Sequence, residues 1–131
     1  MGLNHSYTLI APLYDFLVGP LLEYPRKMSL ARVPQQGGLD VLIDGIGSGL
    51  DLPWLPPAHR YVGIDLTRAM LTRAQPRRGM RDLRLVQGDS QRLPFRDAAF
   101  DLVVMHLLLA IVPDPARTLS EAARTLKTGG T

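Results

Sequence analysis

The chain has 131 residues, of which 46% are hydrophobic and 21% charged, and it contains no cysteine. This length suffices for one domain with a single core, and the lack of cysteine excludes disulfides and thiolate metal sites. The longest apolar run, residues 102–112, is interrupted by His106 and is too short to cross a bilayer. The N-terminus lacks the basic start and the cleavage site of a secretory signal, so we expect a cytoplasmic protein.

The formal net charge is +3, and the basic residues are unevenly placed. Eight arginines lie between positions 68 and 96, namely Arg68, Arg73, Arg77, Arg78, Arg81, Arg84, Arg92 and Arg96. Such a surface attracts anionic partners, although a solvated face that keeps a protein soluble is the more common explanation. We therefore expect no nucleic-acid partner and leave peripheral membrane contact open.

The first part of the chain, through Val33, has the composition of helical and loop material. Pro20 suits the first turn of a helix, and Pro34 with the glycine pair at positions 37–38 would end it. From position 39 the hydrophobic period changes, and residues 39–44 form the nearly continuous apolar run of a strand buried on both faces. Three more strands are predicted at residues 60–65, 83–87 and 100–105.

Two helices are predicted, one after the strand at residues 60–65 and one after the strand at residues 100–105. Thr67 can cap the first, which Pro76 ends. Asp114 at the N-cap and Pro115 at the first helical position begin the second, and Gly129 supplies its left-handed stop. Strands that alternate with helices require right-handed crossovers, so the predicted fold class is α/β, with a doubly wound parallel sheet.

A glycine-rich turn follows the first strand, with Gly45, Gly47 and Gly49 spaced two apart. Ligands of such sheets bind beyond the carboxyl ends of the strands, where glycines let the backbone approach closely. Asp65 ends the next strand, 21 residues past Asp44, where an acid can accept from both ribose hydroxyls. The loop and this acid together predict an adenosine-containing cofactor, and a plain turn with a helix-capping Asp65 is the alternative.

The glycine spacing argues against two common nucleotide classes. A dinucleotide fingerprint needs its third glycine at position 50, which is Leu50. No Gly-Lys-Ser/Thr follows the loop, so nucleoside triphosphates are not expected.

Six stretches in order resemble a class I S-adenosylmethionine-dependent methyltransferase, in the branch of the ubiquinone/menaquinone-biosynthesis and phospholipid N-methyltransferases. They are APLYD, LIDGIGSGLDLP, YVGIDLTRAML, LVQGDSQRLPF, FDLVVMHLLLAIVPDP and LSEAARTLKTGG. The resemblance implies a Rossmann-like sheet of strand order 3-2-1-4. It also implies an N-terminal helical lid over residues 1–38, an S-adenosylmethionine-binding core over residues 39–131, and a small-molecule or lipid substrate.

The resemblance assigns cofactor contacts to ten residues: Asp44, Gly45, Gly47, Gly49, Asp65, Leu66, Met70, Asp89, Ser90 and His106. The glycines would cradle the methionine part, and Asp65 would bind the ribose. Met70 would pack near the adenine, and Asp89, followed by Ser90, would accept a hydrogen bond from the adenine amino group. Met70 as part of a helix core is an equal alternative.

The acid beside the first glycine departs from the family pattern, which places it two residues before that glycine, at Ile43 in this chain. Successive strand residues face opposite sides, so this one-residue shift is not conservative. Either the strand end is bulged and Asp44 reaches the cofactor ammonium, or Asp44 hydrogen-bonds the glycine loop and another group makes that contact. We favour cofactor contact, because an unpaired buried carboxylate is costly.

Three residues are candidates for catalysis, where a general base is needed only if the methyl acceptor arrives protonated. His106 is the first candidate, and Tyr14, under the implied lid, is the second, with His5 behind them. The alternative for His106 is an interior histidine whose ring nitrogens are hydrogen-bonded within the fold. The alternative for Tyr14 is an amphipathic anchor for the first helix.

The chain stops where the family enters its fifth strand, which would leave the fourth strand at an edge of the sheet. An apolar edge is usually avoided, so we expect a homo-oligomer formed through this strand. The predicted function is methyl transfer from S-adenosylmethionine. The alternatives are a truncated, cofactor-binding but inactive domain and, less favoured because of Leu50, an NAD-dependent dehydrogenase.

Overall fold

The computed structural model describes residues 19–106, 108 and 111–131, with the backbone alone for residues 19–22. The helices are α1 (Gly19–Leu30), α2 (Arg68–Ala74) and α3 (Pro115–Thr125). The strands are β1 (Asp40–Asp44), β2 (Arg60–Asp65), β3 (Asp82–Gln87) and β4 (Leu102–Val104). Short 3-10 turns cover Leu52–Trp54 and Gln75–Arg78. Tyr14 and His5 lie outside the described residues, and the lid remains a prediction.

The four strands form one parallel sheet in the order β3-β2-β1-β4. In the centre Ile43 of β1 lies between Gly63 of β2 and Val104 of β4. Parallel pairing of all neighbours, with the chain crossing over between strands, confirms the predicted α/β class and the predicted strand order. The carboxyl ends of β1, β2 and β4 therefore meet at one edge of the sheet.

The core lies on both faces of the sheet, because β1 is buried on both sides. Val41 and Ile43 pack on one face with a cluster that includes Leu30 of α1 and Leu71 of α2. Leu42 points to the other face, where Ile64, Leu93 and Phe100 complete a second cluster. This alternation follows from the two-residue period of a strand, so neighbouring side chains of β1 enter different environments.

Residues on α3 hold the segment that follows β3. The guanidinium of Arg124 donates to the backbone carbonyls of Leu93 (3.0 Å) and Phe95 (2.9 Å) and to the carboxylate of Asp97 (2.8 Å). Glu121 accepts from the backbone N–H of Leu93 at 2.9 Å. The neighbouring Arg124 lowers the pKa of Glu121, which keeps this carboxylate ionised and able to accept.

Strand β4 is shorter than predicted, and its outer edge forms hydrogen bonds with the backbone of Thr131. Thr131 donates to the carbonyl of Asp101 (3.1 Å) and accepts from the N–H of Val103 (2.9 Å). Phe100, predicted to lie in the strand, instead forms an isolated parallel bridge with Leu126, so α3 ends at Thr125. Pairing of two chains around β4 remains a prediction, which light scattering at micromolar concentration tests.

Part of the arginine-rich surface serves the fold. Arg77, Arg78 and Arg81 each donate to a backbone carbonyl of another segment. Such bonds satisfy carbonyls in loops that lack a ladder partner. Within the described segments no helix has the length and apolar composition that crossing a bilayer requires.

Candidate functional site

The glycine loop begins directly after the last residue of β1. The backbone N–H groups of Gly45 and Ile46 both donate to the carbonyl of Ile64, at 3.0 and 2.9 Å. Gly45 adopts a left-handed φ of 74°, and Gly47 and Gly49 follow with φ of 58° and 82°. The register of β1 with β2 is regular through Asp44, which pairs with Ile64, so this double contact closes the turn after the strand and does not change the direction of the Asp44 side chain.

Two of these glycines also lack room for a side chain. A Cβ at Gly49 would lie 2.9 Å from Leu52 Cδ1 and 3.1 Å from the backbone of Ala74, at the end of α2. A Cβ at Gly45 would lie 2.7 Å from the side chain of Leu108. The loop is therefore packed closely against both α2 and the segment after β4.

Gly49→Ala is expected to destabilise the protein by about 2–4 kcal/mol, since left-handed strain adds to overpacking against Ala74. Gly129 is a matched control, because its φ is 81° but a Cβ added there would have no atom within 4 Å. Gly129→Ala should therefore cost only the strain, about 1–2 kcal/mol. Urea unfolding of both variants measures the difference, and equal losses would show that the packing against α2 is not limiting.

Asp65, at the end of β2, ties the glycine loop to the neighbouring strand. One carboxylate oxygen accepts from the Gly47 N–H at 3.1 Å, and the other accepts from the Thr67 N–H at 3.0 Å and the Thr67 hydroxyl at 3.3 Å. Burial raises its pKa, and these hydrogen bonds oppose the shift. A carboxylate has about four lone-pair sites, so after these three bonds Asp65 keeps capacity for about one further donor.

Asp44 is fully buried and lies at the end of β1. Its Oδ1 accepts from the hydroxyl of Ser90 at 2.5 Å, whereas Oδ2 has no hydrogen-bond partner in the described part of the chain. The alternative in which Asp44 bonds the glycine loop is therefore not what the described structure shows. The reason is the strand period, since Asp44 shares the face of Leu42 and turns towards the segment after β3. Burial raises the pKa of Asp44 to about 6, and the bond from Ser90 opposes the shift.

The other predicted cofactor residues fall into two environments. Met70 is completely buried on α2, as its helix-core alternative requires, and Leu66 is half-buried beside Asp65. Asp89 is exposed after β3 and accepts from the backbone N–H of Gln91 at 2.9 Å. Ser90 is buried with its hydroxyl on Asp44, so of this pair Asp89 is the side chain open to a ligand.

His106 follows β4, and both of its ring nitrogens have protein partners. Nδ1 lies 3.0 Å from Asp51 Oδ1, and Nε2 lies 2.9 Å from the hydroxyl of Ser29 on α1. Arg26 of α1 donates to the same Asp51 oxygen at 2.6 Å. Sequence reasoning missed Ser29, Asp51 and Arg26. The available signal was the position of Asp51 two residues after Gly49, but its partners are 25 and 55 residues away in the chain.

The comparisons with known proteins concern most of the chain. Residues 39–131 match the model of a family described as a methyltransferase domain. The phosphatidylethanolamine N-methyltransferase of Cereibacter sphaeroides is 39% identical over 133 aligned positions, which cover 98% of this chain and 64% of that protein. The demethylmenaquinone methyltransferase of Staphylococcus carnosus is 37% identical over 75 positions, covering 56% of this chain and 31% of that protein.

A solved structure gives the same result for the fold. A chain in the complex between the Haloferax volcanii Trm112 methyltransferase activator and a methyltransferase superposes with a TM-score of 0.80 and 31% identity. The match covers 95% of this chain and 57% of that one. The chain therefore spans less than two thirds of the length of each of these three proteins.

Proposed function

The chain belongs to the S-adenosylmethionine-dependent methyltransferases, and we propose that it transfers the methyl group of S-adenosylmethionine to a small molecule or lipid. The observation that carries the proposal is the bond from Gly47 to Asp65, which fixes a left-handed glycine loop beside a buried carboxylate. Both groups lie at the carboxyl edge of the sheet, where open α/β sheets bind ligands.

The described residues suit this cofactor at three points. Three of the about four lone-pair sites of Asp65 already accept hydrogen bonds, which leaves one site for a ribose hydroxyl. The unpartnered Oδ2 of Asp44 is a buried acceptor that an ammonium group would satisfy. Asp89 is exposed and can accept from an exocyclic amine. These residues would hold the ribose, the methionine end and the adenine respectively, with the half-buried Leu66 at the apolar side.

The cofactor, when bound, supplies an activated methyl group, and the chain supplies position and exclusion of water. The glycine loop fixes one end of the ligand through backbone groups that cost little reorganisation. Leu108, packed on Gly45, covers the loop with apolar surface. We place the methyl acceptor on the side of His106, which follows β4 in the chain and contacts Ser29 of α1.

An aminophospholipid is our first choice of acceptor. Support comes from the phosphatidylethanolamine N-methyltransferase, whose similarity extends over 98% of this chain. A quinol is second, supported by the demethylmenaquinone methyltransferase over a shorter part of the chain. The dehydrogenase alternative loses support, since the family match and Leu50 both argue against a dinucleotide.

The test combines ligand binding with methyl transfer. The 131-residue chain is titrated by calorimetry with S-adenosylhomocysteine, with NAD as the negative control. It is then incubated with methyl-labelled S-adenosylmethionine and vesicles that contain phosphatidylethanolamine or demethylmenaquinol. Label in the lipid supports the proposal. Binding without transfer to either acceptor favours the cofactor-binding but inactive alternative, and no binding by a folded chain rejects both.

A heat-denaturation assay gives an independent measure of the ligand. A ligand at about one hundred times its dissociation constant adds roughly 2.7 kcal/mol to the free energy of unfolding. S-adenosylhomocysteine should raise the melting temperature accordingly, whereas NAD at the same concentration should leave it unchanged. Stabilisation by NAD alone would restore the dehydrogenase alternative.

A further inference from the structure

We infer that Ser29, His106 and Asp51 form a proton relay that removes a proton from the methyl acceptor, with Asp51 positioning the ring of His106. The inference rests on the proposed function and adds a substrate class to it. The acceptor is one whose nucleophilic nitrogen or oxygen carries a hydrogen that must leave, such as an ammonium or a hydroxyl group.

The three side chains come from separate parts of the chain and meet at the ligand edge of the sheet. Ser29 lies in the last turn of α1, Asp51 just after the glycine loop, and His106 two residues beyond β4. The hydroxyl of Ser29 is 2.9 Å from His106 Nε2, and His106 Nδ1 is 3.0 Å from Asp51 Oδ1. Hydroxyl, imidazole and carboxylate in this order are the arrangement by which a base is oriented and its charge stabilised.

The chemistry of the partners fixes the direction of each hydrogen bond. An ionised carboxylate only accepts hydrogen bonds. Nδ1 must therefore carry a hydrogen and donate a hydrogen bond to Asp51. In a neutral ring Nε2 is then the acceptor, and Ser29 donates its hydroxyl hydrogen to it. Asp51 is itself held by Arg26 at 2.6 Å, and its side chain is only 10% exposed. The carboxylate is thus fixed, whereas Ser29 is exposed and open to an acceptor.

The proton transfer conserves atoms and charge. The acceptor's N–H or O–H bond breaks, and its proton moves to the oxygen of Ser29 while the serine hydrogen moves to Nε2 of His106. The freed lone pair forms the new bond to the methyl carbon, and the electrons of the sulfur–methyl bond return to sulfur, which leaves a neutral thioether. The resulting imidazolium faces the carboxylate of Asp51, whose negative charge stabilises it.

A purely structural role is the competing explanation, because the same contacts attach α1 to the glycine loop. Chemical rescue separates the two. His106→Ala should lower kcat for phosphatidylethanolamine vesicles by about 10²–10⁴-fold, the range of general base catalysis. Added imidazole should restore part of that loss, which a purely structural role would not allow. His106→Gln serves as a second variant in case the alanine variant does not fold.

The serine and the aspartate are tested by conservative pairs. Ser29→Ala should lower kcat at unchanged KM, and Ser29→Thr, which keeps a hydroxyl, should recover most of it. Asp51→Asn should lower kcat and leave the binding of S-adenosylhomocysteine intact. Loss of kcat without imidazole rescue, or equal loss in both serine variants, overturns the relay.

A spectroscopic readout tests the relay without turnover. Nitrogen-15 NMR of the ring should show a proton on Nδ1 and a bare Nε2 in the wild-type chain. A proton on Nε2 alone contradicts the relay whatever the activity. A wild-type chain that transfers no methyl group, despite the expected tautomer, rejects the proposed function and the relay with it. An active wild type with an active His106→Gln variant rejects the relay alone.

Discussion

Replacing Asp65 with alanine should weaken the binding of S-adenosylmethionine by at least about 10-fold, since a hydrogen bond to a charged group contributes about 1.5–3 kcal/mol. The substitution removes the proposed acceptor of a ribose hydroxyl and also the group that accepts from the Gly47 N–H. Calorimetric titration of both proteins measures the affinity, and thermal unfolding checks that the variant is folded.

Asp82 provides a matched control for this experiment. It is an exposed aspartate at the first position of β3, and therefore at the opposite end of the strands from the glycine loop. Asp82→Ala should bind the cofactor as the wild type does. Asp65→Asn should give an intermediate loss, because it keeps one carbonyl acceptor. Unchanged affinity in a folded Asp65→Ala chain would reject the ribose assignment.

Removing the carboxylate of Asp44 should remove a pH dependence of stability between about pH 4 and pH 6. The pKa of Asp44 is raised by burial from an ordinary 3.8 to about 6 in the folded chain. Between these values the unfolded state binds fewer protons than the folded state, so the free energy of unfolding falls as the pH rises. The contribution of Asp44 to the free energy of unfolding should be lower near pH 7 than in acid by about 3 kcal/mol, at 1.36 kcal/mol for each unit of pKa difference.

The comparison with Asp44→Asn isolates this contribution. Other carboxylates, such as Asp40, whose pKa is lowered by the hydrogen bond from Arg60, titrate equally in both proteins. The difference in the free energy of unfolding, wild type minus variant, should therefore fall by about 3 kcal/mol from pH 4 to pH 7. Urea unfolding at four pH values measures it. A constant difference would mean that burial does not perturb Asp44.

The same linkage has a consequence for ligand binding. If the cofactor ammonium satisfies Oδ2 of Asp44, it favours the ionised carboxylate. Affinity for S-adenosylhomocysteine should then increase as the pH rises through 6 in the wild-type chain and stay flat in Asp44→Asn. A flat profile in both would place the ammonium elsewhere.

Local sequence signals predicted the architecture well. Thr67 and Asp114 cap α2 and α3 in the structure, and Asp65 ends β2 beside the glycine loop. These features depend on residues that are near one another in the chain or on strand periodicity. The end of α3 was predicted less well, because Leu126 leaves the helix to bridge with Phe100. That pairing depends on tertiary contact, which helix propensity does not include.

The side-chain partners within the site were not predictable in the same way. Asp44 and Ser90 are 46 positions apart, and Ser29 and His106 are 77 apart. No periodicity joins such residues, since their meeting depends on which strands become neighbours and on how loops turn above them. For Asp44, singled out by its shifted position, the sequence left two alternatives, and its bond from Ser90 was foreseen by neither.

The attachment of the segment after β3 to α3 bears on the thermodynamics of ligand binding. Arg124 and Glu121 hold the backbone at Leu93 and Phe95, close in the chain to Asp89 and Ser90. Residues fixed before a ligand arrives have little conformational freedom left to lose, and each side chain ordered on binding would otherwise cost about 0.5–1.5 kcal/mol. If Asp89 contacts the adenine as proposed, we therefore expect part of the entropy of ordering to be lost when the chain folds, and the ordering cost of binding to be smaller on that side.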